Sequence, residues 1–119
     1  MAEISNLHEV LKTRRLSVKT LHCALKVLKG KRKEEICRRS GMGMTSLEHL
    51  AEQLVPMLNG LDPRRREMLL KRYGLGGDAP KTLQAIGDEY KLTRERIRQI
   101  QNAALKKLRK KLEQGEFPK

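Results

Sequence analysis

Apolar residues return every third or fourth position along this chain, as in Val18, Leu21, Leu25 and Leu28, then Leu47, Leu50 and Leu54, then Ile97, Ile100, Ala104, Leu108 and Leu112. That period paints a stripe along one side of a helix, and no stretch alternates apolar with polar residues long enough to face a sheet. The expected fold class is therefore all-α. Caps and breakers divide the stripes. Ser5 can cap a first helix bearing Leu7, Val10 and Leu11, and Ser17 a second that stops at Gly30. A short basic helix follows over 31–39, the Gly-Met-Gly run at 41–43 interrupts it, and a helix carrying Leu47, Leu50 and Leu54 restarts. Pro56 and Asn59-Gly60 punctuate the chain, after which Asp62-Pro63 supplies an acidic cap and a first-turn proline. Helices Pro63–Tyr73 and Leu83–Tyr90 then flank the loop GLGGDAPK, and a last helix opens after Thr93.

These breaks place a boundary near residue 58, between a helix-hairpin-helix-like unit over 1–58 and a helix-turn-helix unit over 59–119. Each has only about sixty residues, which is marginal for an independent core. The halves are therefore expected to pack on each other or share the helix around Leu47 to Leu54, and to melt together.

Charge narrows the partner. The chain carries 27 Lys and Arg against 14 Asp and Glu, a formal +13 on 119 residues. The first sixty residues hold 11 bases and 6 acids and the remainder 16 and 8, so both halves are basic. Such an excess favours polyanions. Only Tyr73, Tyr90 and Phe117 are aromatic, too few for the stacking platforms of single-strand readers, which makes duplex the better partner. No apolar run nears the roughly 18 residues that span a bilayer, and residues 1–11 lack the layout of a signal peptide, so the expected location is the cytoplasm. Cys23 and Cys37, without His at zinc-ligand spacing, read as reduced core thiols, and no metal or cofactor is expected. No paired carboxylates, activated nucleophile or metal cluster stands at useful spacing, so the chain is not read as an enzyme.

The stretch TLQAIGDEYKLTRERIRQI, residues 82–100, has the layout of a helix-turn-helix: a short helix, a tight turn near Lys91-Leu92, and a second helix capped by Thr93. Small Gly87 lets the helices approach, and Ile86, Leu92, Ile97 and Ile100 supply the seam. Opposite that seam, 100° per residue places Glu95, Arg98, Gln99, Asn102 and Lys106. Arg can grip guanine's two acceptors, Gln or Asn can pair with adenine, and Glu can accept from cytosine's amine. Lys106, Arg109 and Lys110 lack such discrimination and suit phosphates.

From about Leu54 to Lys111 the chain resembles region 4 of bacterial primary sigma factors: TRERIRQI at 93–100 is nearly a signature there, and the flanking RYGL, TL-x-x-IG and ALKKLRK recur in order. The resemblance implies a module that recognises the promoter element about thirty-five base pairs upstream of the transcription start and docks on the flap of the RNA polymerase beta subunit. Carried onto matching positions, it implies that Arg94, Glu95, Arg98 and Gln99 face bases in the major groove, and that Arg64, Arg72, Thr82 and Leu83 hold the DNA backbone. Here Gln84-Ala85 replaces a usual acidic pair, Gln101 a usual Glu, and Ala103 a common Lys or Arg. No acidic-aromatic segment for opening a promoter accompanies the match, so a reader without an opener is expected.

In the N-terminal half, RLSVKTLHCALKVLKGKRKEEICRRSGMGMTSLEHLAEQL has helix-hairpin-helix order, in which Gly41 and Gly43 permit positive φ and let backbone N–H groups converge on a phosphate. Residues 15–55 also resemble the C-terminal domain of the polymerase alpha subunit, through L-S-V-K-T-L-x-C-A-L and G-x-x-S-L-x-x-L. That resemblance implies minor-groove or phosphate contacts at Lys19, His22, Gly43 and Ser46, and contacts with activators and sigma region 4. Lys19 stands for an Arg, His22 for an Asn and Thr45 for a Lys.

Together these features lead to a sequence-specific, double-stranded DNA-binding transcription regulator acting with RNA polymerase at promoters, in the bacterial nucleoid or a phage-infected cell. The competing reading is a protein that occupies the beta flap or a sigma or alpha site without touching DNA, through an apolar side made by Leu69, Leu70, Leu105 and Leu108.

Overall fold

A computed structural model describes residues 17–29 and 32–115. The helix expected after Ser5 and the stop expected at Gly30 lie outside the described residues. Six α-helices account for the rest: α1 (Val18–Val27), α2 (Lys33–Ser40), α3 (Met44–Met57), α4 (Pro63–Tyr73), α5 (Leu83–Tyr90) and α6 (Arg94–Glu113), with a 3₁₀ turn at Leu58–Gly60. The described residues form no strand, as the period predicts.

Most helix starts are set by local side-chain caps. Ser17 accepts from the Thr20 N–H at 3.1 Å, Asp62 from Arg65 at 3.3 Å, Thr82 from Ala85 at 3.0 Å and Thr93 from Arg96 at 3.0 Å. Each satisfies one of the N–H groups that a helix start leaves without an internal partner. Pro56 does not end α3 where the sequence suggested. It sits inside the last turn, which runs on to Met57 before the 3₁₀ turn. At the Gly-Met-Gly hairpin only Gly41 takes the left-handed backbone, at φ +74, whereas Gly43 lies at φ −70 in extended geometry as the start of α3. Of the two glycines that permit positive φ, only Gly41 uses it.

The core is built from both halves of the chain. Leu21, Leu25, Leu47, Leu50, Leu54, Leu58, Leu69, Tyr73, Ala104, Leu105, Leu108 and Leu112 belong to one buried cluster. Helix α1 packs against α2, α3 and α6, while α4 packs against α5 and α6. A smaller cluster of Met68, Ile86 and Ile97, with Leu83, Tyr90, Leu92 and Ile100 against it, holds α4, α5 and the first turns of α6. Leu69, Leu105 and Leu108 are at most 2% exposed, so the leucines considered for a docking face are used in the core, with Leu70 packed at its edge. Helix α6 thus belongs to both clusters: its front seats the helix-turn-helix and its back closes the main core.

Candidate nucleic-acid interface

The turn between α5 and α6 is built around two positions. Lys91 closes α5 in the left-handed conformation at φ +58, and the Leu92 N–H donates back to the Gly87 carbonyl at 2.8 Å. A β-carbon on Gly87 would lie 2.6 Å from the Leu92 carbonyl oxygen, closer than non-bonded atoms tolerate. Gly87 is therefore required, as its small size suggested, and the atom it makes room for belongs to the turn rather than to a facing side chain.

Beyond this turn α6 presents its first two turns. Ile97 is 2% exposed and anchors them, while Arg94, Glu95, Arg96, Arg98 and Gln99 are all exposed. The candidate readers already touch one another. Arg98 donates from Nε to Glu95 at 2.8 Å and from Nη2 to the other carboxylate oxygen, a forked pair. This contact holds the Glu95 carboxyl below its usual range and the Arg98 guanidinium above its own. Arg96, absent from the sequence-derived set, reaches Gln99 Oε1 at 3.4 Å. Asn102 is half-buried and lies 3.5 Å from the Nε2 of Gln101. Gln101 itself is 7% exposed and its Oε1 has no hydrogen-bond partner among the described residues. Past Gln99 the next polar residues of α6, Gln101 and Asn102, are buried and half-buried, and the next exposed polar residue is Lys106.

The backbone candidates divide by environment. Arg64, at the start of α4, is exposed and lies over the Tyr90 ring at 5.8 Å. Thr82 caps α5 and Leu83 packs into the small cluster, so what they offer outward is the free N–H end of that helix. Arg72 is half-buried and donates to the Lys81 carbonyl at 3.0 Å, which pins the 74–81 loop to α4. Lys106 and Lys110 are exposed, one turn apart, while half-buried Arg109 leans toward Glu113 at 3.7 Å.

A network that the sequence reading missed fixes α5 against α4. Lys71 donates to Glu67 at 2.7 Å and also to Glu89, Lys81 lies 3.4 Å from the other Glu89 oxygen, and the Lys71 ammonium stands 5.1 Å over the Tyr90 ring. Hydrogen bonds from Lys71 hold Glu67 and Glu89 below the usual carboxylate range. The i, i+4 spacing of Glu67 and Lys71 was a readable signal for half of it.

In the N-terminal half, Lys19 is exposed, Gly43 starts α3 in the open, and Ser46 is half-buried in its first turn. His22 is committed inward. Its Nδ1 shares a hydrogen bond of 2.5 Å with the Tyr73 hydroxyl, edge to ring, and burial with help from the Lys26 and Arg72 charges pulls its pKa down to about 4. The ring is thus neutral at ordinary pH and ties α1 to the end of α4. Among the described residues no helix is long and apolar enough to cross a membrane, and no His, Cys, Asp and Glu group is placed to hold a metal ion.

A capped α6 with an exposed Arg-Glu-Arg-Gln face, seated on α5 across a glycine-tightened turn, defines a helix-turn-helix protein. Residues 57–110 match the family described as Sigma-70, region 4. The chain is 50% identical over 60 residues to RNA polymerase sigma factor SigA of Clostridium acetobutylicum, covering 50% of this chain and 16% of that protein. It is 52% identical over 60 residues to SigA of a Nostoc species, covering 50% and 15%. Against the chloroplastic RNA polymerase sigma factor sigD of Arabidopsis thaliana it is 41% identical over 66 residues, covering 56% and 16%. The match therefore spans about a sixth of these relatives' length. No solved structure matches the chain.

Proposed function

We propose that this protein is a double-stranded DNA-binding transcription regulator that works with bacterial RNA polymerase at promoters and reads a sigma-like upstream element in the major groove. The observation that carries this reading is the exposed, preorganised face Arg94, Glu95, Arg98 and Gln99 on the first turns of α6. In the free protein Glu95 and Arg98 satisfy each other. On DNA the same two groups suit adjacent bases, the carboxylate accepting from a cytosine amine and the guanidinium donating to guanine O6 and N7. Because their forked contact already fixes both side chains over the surface, less side-chain freedom is lost on binding.

Around this face Arg64, the start of α5 at Thr82 and Leu83, and Lys106 and Lys110 supply sequence-independent contacts to phosphates. Arg72 acts chiefly by holding the loop that leads into α5, and Arg109 is partly engaged by Glu113. The N-terminal half adds exposed Lys19 and the α3 start at Gly43 and Ser46, with His22 bracing α1 from beneath. Polymerase is the expected protein partner because the matched relatives are named as RNA polymerase sigma factors.

Selection of bound duplexes from a random pool at stated salt tests the reading: enrichment of a sigma-like hexamer is expected. Arg98→Ala should then relax base choice at one position at a cost of about 1–3 kcal/mol, whereas Lys110→Ala weakens all duplexes alike. Equal losses on specific and scrambled duplexes for both variants would overturn it. Polymerase capture that survives Arg94→Ala with Arg98→Ala, without any enrichment, would favour a polymerase-occupying role instead.

A further inference from the structure

Between α1 and α2 lies a cleft of about 360 Å³, on a part of the chain that the helix-turn-helix does not use. Its floor includes Cys23 and Ile36, 6% and 9% exposed, and its rim carries Lys19, Lys26, Arg32 and Arg39. One carboxylate, Glu35, faces these four cations, 2.9 Å from Arg39 and 3.8 Å from Arg32. Lys19 and Lys26 are two helical turns apart and so project from the same side of α1. Burial pushes the Cys23 thiol up, and the Lys19, Lys26 and Arg39 charges pull it the other way. Like charges around one concavity repel each other, and the apolar core beneath gains nothing from them. A bound anion would relieve that repulsion.

We propose that this cleft is a phosphate site, and that at a promoter it takes a backbone phosphate of the same duplex that α6 reads. An apolar floor under a cationic rim matches the sugar–phosphate backbone, which pairs an apolar deoxyribose edge with an anionic group. His22 in the lining bonds to Tyr73, which ties the α1 wall of the cleft to the end of α4. Helix α1 packs on α6, so a phosphate held here sits at a set offset from the bases facing Arg94 to Gln99. The assignment to the duplex rests on the proposed promoter reading; the affinity of the cleft for phosphate does not.

Two measurements on the full chain separate the claims. In the first, inorganic pyrophosphate is titrated in and followed by backbone amide NMR. Saturable shifts are expected across residues 19–26 and 32–39, lost in Lys19→Ala with Lys26→Ala and kept in Arg98→Ala. Both lysines are exposed, and unchanged helical content confirms the fold of the double variant. No saturable shift, or the same shift in the double variant, overturns the site whether or not the protein reads DNA. In the second, affinity is measured against salt on a duplex just covering the selected hexamer and on one longer by a helical turn at each end. The double variant should lose about two from the slope of log affinity against log salt on the longer duplex, and nothing on the shorter one. An unchanged slope there, with the pyrophosphate shifts intact, overturns the duplex assignment and moves the phosphate to a free phosphorylated small molecule. If the wild-type chain binds neither duplex, the promoter reading fails, the duplex assignment fails with it, and the first measurement alone decides the cleft.

Discussion

The two ends of α6 are held by cores of different size. The back, from Ala104 to Leu112, closes the main cluster with side chains from α1, α3 and α4, whereas the front, around Ile97, rests on a cluster whose fully buried members are Met68, Ile86 and Ile97 alone. Each large apolar side chain removed from water contributes roughly 1.5–3 kcal/mol, so the front has few such contributions to lose. The candidate reading face is thus carried on the more weakly supported end of a helix whose other end closes the main cluster. On the proposed reading, the turn before α6, rather than the core behind it, is where a substitution should disturb duplex binding first.

The largest effect should come from the back of the helix. Leu108→Ala, at a side chain with no exposure, is expected to cost about 2–5 kcal/mol. Urea unfolding followed through amide signals of both α1 and α5 should show one shared transition shifted down; two separate transitions would break the picture of α6 as the joint. Next, Gly87→Ala forces the Leu92 carbonyl away and should cost about 1–3 kcal/mol, with duplex binding lost while α1 to α3 keep their spectra. Retained binding would show that the turn tolerates opening.

The His22–Tyr73 contact gives the third test, through pH. The folded pKa of His22 is about 4, below the roughly 6.5 of an exposed histidine. As pH falls the unfolded chain therefore takes up the proton first. Stability from this group is full above the unfolded pKa and is lost between pH 6.5 and 4, with a slope of up to ~1.4 kcal/mol per pH unit. His22→Gln should flatten that slope in a series of urea melts, and a slope that persists would assign it to other groups. The smallest effect belongs to the front. Thr93→Ala removes the cap of α6 and should cost about 1 kcal/mol, visible as faster amide exchange over 94–97 with the signals of 104–112 unchanged.

Much of this molecule was legible because the physics involved is local. The caps at Asp62 and Thr93 each act on an N–H three residues away, so local sequence alone located the starts of α4 and α6, while the Thr82 cap of α5 came only with the structure. Gly87 was legible for a similar reason, since the turn it permits lies within five residues. The exposure of Glu95, Arg98 and Gln99 followed from the angle between them and Ile97, whereas Arg94 entered the candidate set only through the resemblance to sigma region 4. Other features depended on what lay across the gap. Which of Gly41 and Gly43 takes positive φ is decided by where α3 starts. Gln101 looked like one more polar residue, and only the packing of α6 buries it. His22 and Tyr73 are 51 residues apart, and no spacing rule connects them.

Composition, period and capping by themselves determined that this chain is an all-helical, strongly basic protein whose last helix carries an exposed polar stripe at its start, because helix formation and its termini are written in contacts a few residues long. What only the tertiary structure decided is how the helices share the work. Packing gives one twenty-residue helix an exposed front and an anchoring back, gives Arg72 and Lys71 to the support of α5, and gathers Lys19, Lys26, Arg32 and Arg39 around one cleft. The reason is that burial is a property of pairs of surfaces: a stripe on one helix names its own buried side, but not the partner that covers it.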